Sequence, residues 1–280
     1  MLALATPWTF SFDPLQVVPV LVVTVLYARR CVTLARRGRP VPGWRQFSFY
    51  VGIALLLFAF VSPVDALGEE RLLSMHMTQH LLLGDLAPLA LVLGVNGPVL
   101  RPVLALPVIG SLRVLAHPLV ALPLWALNLY LWHLEPLYEA ALEHNTIHAL
   151  EHFTFFVCGC LVWAAVVEPL PGPAWFTTGW KALYVLVVRL LGTVLANVFL
   201  WSGGVFYPRY AEAPRLWGLS ATADQRIAGG VMMVEGSLVT IGVFAWMFLR
   251  WAAESERRQQ LVEQGEDPAA ATRAVRYGRA

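Results

Sequence analysis

Apolar residues fall along the chain in seven runs, each near the roughly 20 residues that an α-helix needs to cross the hydrocarbon core of a bilayer. The runs are Pro14 to Ala28, Phe47 to Leu67, Met75 to Val95, Val114 to Leu134, Thr146 to Val167, Trp180 to Phe206 and Ile227 to Trp251. They use most of the chain, so the pattern predicts an all-α, polytopic membrane helix bundle of about seven transmembrane helices. The first run has no basic residue before it and no small-residue cleavage site after it, which reads as a retained helix rather than a removable leader.

The polar interruptions organise the rest. Asn96 to Arg113 carries Pro98, Pro102 and Pro107 and is too broken to span, so its expected place is along the cytoplasmic interface. Pro169 to Trp180, with Pro171, Gly172 and Pro173, predicts a tight connection whose Trp175 and Trp180 suit an interfacial belt. From Glu254 the chain turns polar and charged. The expected division is a transmembrane domain over 1–253 and a cytoplasmic tail over 254–280, partly helical or mobile. No internal repeat is evident.

Composition agrees with the bilayer as solvent. The chain is 58% hydrophobic and 14% charged, more apolar material than a soluble domain of this length can bury. Its three cysteines, Cys31, Cys158 and Cys160, form neither a disulfide framework nor a Cys-x-x-Cys motif, against a zinc-finger or thioredoxin-like protein. Cys158 and Cys160 are expected to be buried thiols turned away from the His148 and His152 face. The net charge of +2 gives no reason to expect nucleic acid, because the arginines follow topology instead of forming a patch. Arg29, Arg30, Arg36, Arg37, Arg39 and Arg45 crowd the first connection, and Arg250, Arg257, Arg258, Arg273, Arg276 and Arg279 follow the last run. By the positive-inside rule both segments are cytoplasmic, so seven crossings put the N-terminus outside and the C-terminus in the cytoplasm.

With those directions assigned, the histidines gather at one depth. His76 and His80 open the third helix at its outer end, His133 closes the fourth there, and His148 and His152 open the fifth. Each i, i+4 pair shares a helix face about 6 Å apart along the axis, a spacing that can chelate one ion. Imidazole suits copper, zinc, iron and nickel, and the thioethers of Met75 and Met77 would favour Cu(I). A lone histidine at this depth more often bonds a carbonyl at the headgroup boundary, but two pairs at one level favour a metal site. His144 and His117 read as structural. Residues expected to support the ligands are Asp65, Met75, Met77, Glu151, Asp224, Gln225 and Met232; Asp224 could hold a histidine ring as acceptor, or Gly229 and Gly230 beside it could serve close helix packing. Asp85, Arg189 and Glu235 fall near the middle of their helices, where Arg189 is expected to brace against Asp85 or Glu235, with a proton or ion relay as the rival.

Ser62-Pro63-Val64-Asp65, Met75-His76-Met77-Thr78-Gln79-His80, Trp132-His133 with Leu137-Tyr138, His148-Ala-Leu-Glu151-His152 and Asp224-Gln225 with Gly229-Gly230 and Met232 occur in that order. This ordered set resembles the seven-helix CtaG-like cytochrome c oxidase assembly factors of bacterial plasma membranes. The resemblance implies a multi-pass plasma membrane protein that helps mature a haem-copper oxidase, with copper handling as its chemistry. Oxidase subunits and other copper chaperones are then the expected partners, and no enzymatic turnover is required. An unrelated single-anchor assembly protein shares the name, but this chain lacks the cysteine pair of such a copper chaperone. Three other readings stay open, one of them a transporter, for which only the mid-helix charges Asp85, Arg189 and Glu235 speak. Histidines on facing helices also hold haem in membrane electron carriers, and His148-Ala-Leu-Glu151-His152 matches the inverted zincin pattern of a zinc protease.

Overall fold

The structure is a computed structural model that describes residues 9, 10 and 12–277; Arg279, one of the arginines expected on the cytoplasmic side, lies outside them. The main helices are α1 (Pro14–Arg36), α2 (Gly43–Val61), α3 (Pro63–Glu70), α4 (Leu73–Gly94), α5 (Pro118–Trp132), α6 (Glu135–Glu143), α7 (Asn145–Val167), α8 (Thr178–Trp201) and α9 (Ala221–Glu263). No strand occurs among the described residues. Six of these helices are long and apolar enough to cross a membrane, and a bent pair, Gly110–Ala116 with Pro118–Trp132, raises the number to seven when counted as one span. The protein is a multi-pass membrane helix bundle.

Three expected spans are drawn differently by local chemistry. The second ends at Val61, because Ser62 caps a new helix with its side chain on the Val64 amide at 3.3 Å and Pro63 supplies the first-turn geometry of α3. The fourth loses its first turns: His117 and Pro118 impose a 75° bend, and α5 keeps only 15 residues. The seventh does not stop at Trp251 but continues as one helix through Glu254 to Glu263. The proline-broken segment after α4 forms only short helical pieces, Gly97–Leu104, Pro107–Leu112 and Arg113–Ala116.

Two helices are central. Of the apolar stretch of α4, 56% is buried, and of α7, 50%; the other long helices bury only 22–28% and turn residues such as Leu190, Val194 and Leu238 outward, as lipid-facing helices do. α4 packs against α2, α3, α7 and α9, and α8 runs along α9. Inside α4 the turn Leu82–Leu86 widens to π-helical geometry. Pro88 explains it: having no amide hydrogen, it leaves the Gly84 carbonyl without its helical donor, and its ring crowds that oxygen. Gly159 of α7 sits directly on the freed carbonyl, where any Cβ would overlap it. Gly229 likewise lets α9 meet the Ala196 carbonyl of α8.

The middle of the bundle corrects one expectation. Arg189 makes no ion pair with Asp85 or Glu235 among the described residues. Its guanidinium donates to the Met232 and Met233 carbonyls at 3.2 and 2.5 Å and to Ser237 Oγ at 3.1 Å, in space that Gly236 leaves open. Asp85 accepts from Trp163 Nε1 at 2.6 Å and meets the Glu235 side chain. The arginine therefore braces α8 to the α9 backbone. Cys158 and Cys160 are half-buried, less enclosed than expected; two positions apart, they lie on opposite flanks of α7, and Cys160 packs against the core.

Asp224 of α9 fastens α4 at its start. Its carboxylate accepts from the Leu73 amide at 2.7 Å, the Ser74 amide at 3.3 Å and the Ser74 hydroxyl at 2.5 Å, acting as an N-cap supplied from another helix. Replacing Asp224 with Ala should cost about 2 kcal/mol, visible as a lower melting temperature of the detergent-solubilised protein. Valine at Gly159 or Gly229 should destabilise by about 1–3 kcal/mol in the same assay. Valine at Gly230, which faces open space, should leave the transition in place.

Candidate metal centre

The starts of α4 and α7 lie side by side, and the i, i+4 spacing turns each histidine pair inward. His76 and His80 have ring centroids 4.3 Å apart, and His148 and His152 4.0 Å. Across the helix boundary, His76 and His148 are 5.5 Å apart and His80 and His152 5.6 Å. All four rings are buried, with His76 at 0% exposure. Gly68 makes room for this by letting α3 lie against the His76 backbone.

Glu151 occupies the middle. It is fully buried, its Oε1 lies 3.6 Å from His80 Nε2, and it belongs to two sets of possible ligands. The donor atoms of His76, His80 and Glu151 lie within 4.8 Å of one another, and so do those of His148, Glu151 and His152. The sequence suggests Glu151 as a support for the histidines; in the structure its carboxylate lies with them in both groups that could hold an ion.

The hydrogen bonds orient some rings and leave others open. His148 Nδ1 donates to Glu69 Oε1 at 2.8 Å, and His152 Nδ1 donates to Gln16 Oε1 at 2.8 Å, which leaves Nε2 of each as the bare nitrogen. Neither nitrogen of His76 or His80, and neither oxygen of Glu151, has a hydrogen-bond partner. Buried polar atoms are nearly always paired because an unmet one costs about 1–3 kcal/mol. Eight such atoms gathered around Glu151 match a donor set of imidazole and carboxylate suited to cations. The residues present therefore fit a metal ion.

His133 stands at the edge. Its Nδ1 donates to the Leu129 carbonyl at 2.7 Å, so its Nε2 lone pair faces Met77 Sδ 3.4 Å away, and its ring lies 6.1 Å from that of His80. A cavity of about 100 Å³ runs from His80, His133, Met77 and Met232 down to Asp85, Arg189 and Glu235. Met75 is half-buried and belongs neither to this cavity nor to either ligand set.

Three expected supports act on the scaffold and not on the rings. Asp224 caps α4, as described, and does not hold a histidine. Gln225 accepts from the Phe206 amide and donates to the Gly204 carbonyl, both at 2.9 Å, which pins the loop before α9. Asp65 accepts from Gln79 Nε2 at 2.6 Å and so joins α3 to α4. His117 caps α5 through Nδ1, and His144 sits exposed before α7.

A tyrosine cover closes the site. Tyr138 of α6 stacks on Tyr207 at 3.7 Å, the Tyr207 hydroxyl donates to the His133 carbonyl at 2.9 Å, and the Tyr210 hydroxyl donates to the Gly68 carbonyl at 2.6 Å. Burial, with the neighbouring phenols adding to it, raises Tyr138 well above the usual phenol value, and burial does the same to Tyr210, so both remain neutral donors. Arg209 Nε donates to the Glu69 carbonyl at 3.0 Å and ties this cover to α3. Sequence reasoning missed Glu69, Gln16 and Tyr207; Gln16 is 136 positions from His152, and no local pattern links them.

The chain is 28% identical over 274 residues to the uncharacterized protein Mb0105 of Mycobacterium bovis and, equally, to MT0111 of Mycobacterium tuberculosis. It is 24% identical over 277 residues to ML1998 of Mycobacterium leprae. Each match covers 90% of this chain but 40% of the relative, so the chain spans less than half the length of these proteins. No solved structure matches it. A family model for the cytochrome c oxidase caa3 assembly factor matches residues 25–254, which include both histidine pairs, Glu151, Asp224 and the whole of α4 and α7. The chain therefore belongs to the cytochrome c oxidase caa3 assembly factor family (Caa3_CtaG).

Proposed function

We propose that the protein is a plasma membrane assembly factor for a haem-copper oxidase and that it carries copper as cargo at the His76, His80, His148 and His152 centre. The observation that supports this most is the set of buried imidazole and carboxylate atoms left without hydrogen-bond partners around Glu151. His133 and Met77 add a nitrogen and a thioether at the rim, a soft pair suited to Cu(I) during exchange with a partner. The arginine-rich connection after α1 and the arginines at the end of α9 favour an outward-facing histidine end, the side from which an oxidase copper centre would be loaded. Histidine and methionine bind copper reversibly enough for transfer, and the role needs no turnover.

The contacts weigh against the haem and protease readings. The rings that face each other across the two helices are 5.5 and 5.6 Å apart with the Glu151 carboxylate in their midst, which leaves no planar slot for a porphyrin. A protease needs its glutamate beside an open ligand position and a peptide, whereas Glu151 is 0% exposed beneath the tyrosine cover.

Purified protein loaded with copper should retain it through chelator wash, while the His76→Ala, His80→Ala double variant should bind less and fail to restore oxidase activity in cells lacking the gene. Wild type without copper, or a double variant that still supports the oxidase, would remove this assignment. Glu69→Gln should weaken binding about 10–100-fold by slackening the His148 ring, measured by competition with a Cu(I) chelator at unchanged melting temperature.

A further inference from the structure

The five inner donors do not close on one point. A single ion bonded at about 2.0–2.2 Å to nitrogen and oxygen needs all its donor atoms within roughly 4 Å of one another. Here the donors divide into two sets, His76, His80 with Glu151 and His148, His152 with Glu151, each held within 4.8 Å, and the five do not form one such set. The ring separations repeat the division: 4.3 and 4.0 Å within the pairs, 5.5 and 5.6 Å between them. Glu151 is the member common to both, and both of its oxygens are buried and without hydrogen-bond partners.

We infer that the centre holds two metal ions, one on each histidine pair, bridged by the Glu151 carboxylate. This rests on the metal assignment above and adds to it the number of ions and the role of Glu151. Each i, i+4 pair then chelates its own ion and each carboxylate oxygen serves one of them. Charge supports the pairing. A lone carboxylate fully enclosed by neutral rings is expensive in a low dielectric, and two flanking cations offset that cost better than one ion held on one side. The remaining nitrogens fit as well, because Glu69 and Gln16 occupy the outer edges of His148 and His152 and direct their Nε2 atoms inward.

The test is a metal titration of the full chain in detergent, with Cu(I) against a chromophoric chelator and, separately, with Cu(II) followed by electron paramagnetic resonance. Two equivalents per chain are expected in wild type, and one in His80→Ala or His152→Ala. The Cu(II)-loaded wild type should show a spin-coupled signal, which Glu151→Gln converts into that of isolated ions. Saturation of wild type at one equivalent overturns the two-ion centre while leaving copper binding intact. Absence of any bound copper overturns both. The wild-type stoichiometry decides by itself, so a variant that fails to fold does not blunt the test.

Discussion

Because Gly159 lacks a Cβ and Pro88 frees the Gly84 carbonyl, α4 and α7 touch backbone to backbone, and the position of every histidine at the centre depends on that contact. Both helices begin at the histidine end and run the same way. His80 precedes Gly84 by one turn and His152 precedes Gly159 by two, so the glycine contact sets the separation of the rings above it. The widened turn in α4 absorbs the proline without bending the segment that carries His76 and His80. Side chains brought together by small residues need no hydrophobic force between helices, which lipid would not supply.

Around this contact the polar groups fall into two kinds. Those that hold the scaffold are engaged: Asp224 on the start of α4, Gln225 on the loop before α9, Gln79 through its Nε2 on Asp65 and the Ala59 carbonyl, and Arg189 on the α9 backbone. Those at the middle, Glu151 and the inward nitrogens, are not. The other buried side-chain atoms without a partner, on Gln79, Asn128, Glu168, Tyr184 and Glu235, occur singly on separate elements, whereas these eight gather around one carboxylate. Their convergence is what a cation would require, and the tyrosine cover keeps water from taking its place.

Hydropathy and helical spacing were enough to locate the membrane helices and both histidine pairs, because transmembrane length and i, i+4 periodicity are local properties of the chain. The errors have equally local causes. Ser62-Pro63 and His117-Pro118 are boundaries that a hydropathy window averages away, and nothing in the apolar content of α9 marks where lipid ends, since its polar continuation is equally good helix. What the sequence could not disclose is who partners whom across long separations. Asp224 is 151 positions from Leu73, and Arg189 chose backbone carbonyls over Asp85 and Glu235 because Gly236 leaves a gap beside them. Charges at equal depth share a level without sharing a bearing around the helix axis.

The length of α9 carries a further meaning. At about 1.5 Å per residue its 43 residues reach roughly 65 Å, about twice the hydrocarbon thickness, and even a 40° tilt leaves some 50 Å along the membrane normal. It cannot be housed in lipid. One end of this rod holds the first turn of the helix that bears His76 and His80, while the other, rich in glutamate, glutamine and arginine, extends past the apolar stretch as a spacer of fixed length. A single helix thus ties the start of α4, beside the histidine cluster, to a polar segment at the far end of the bundle.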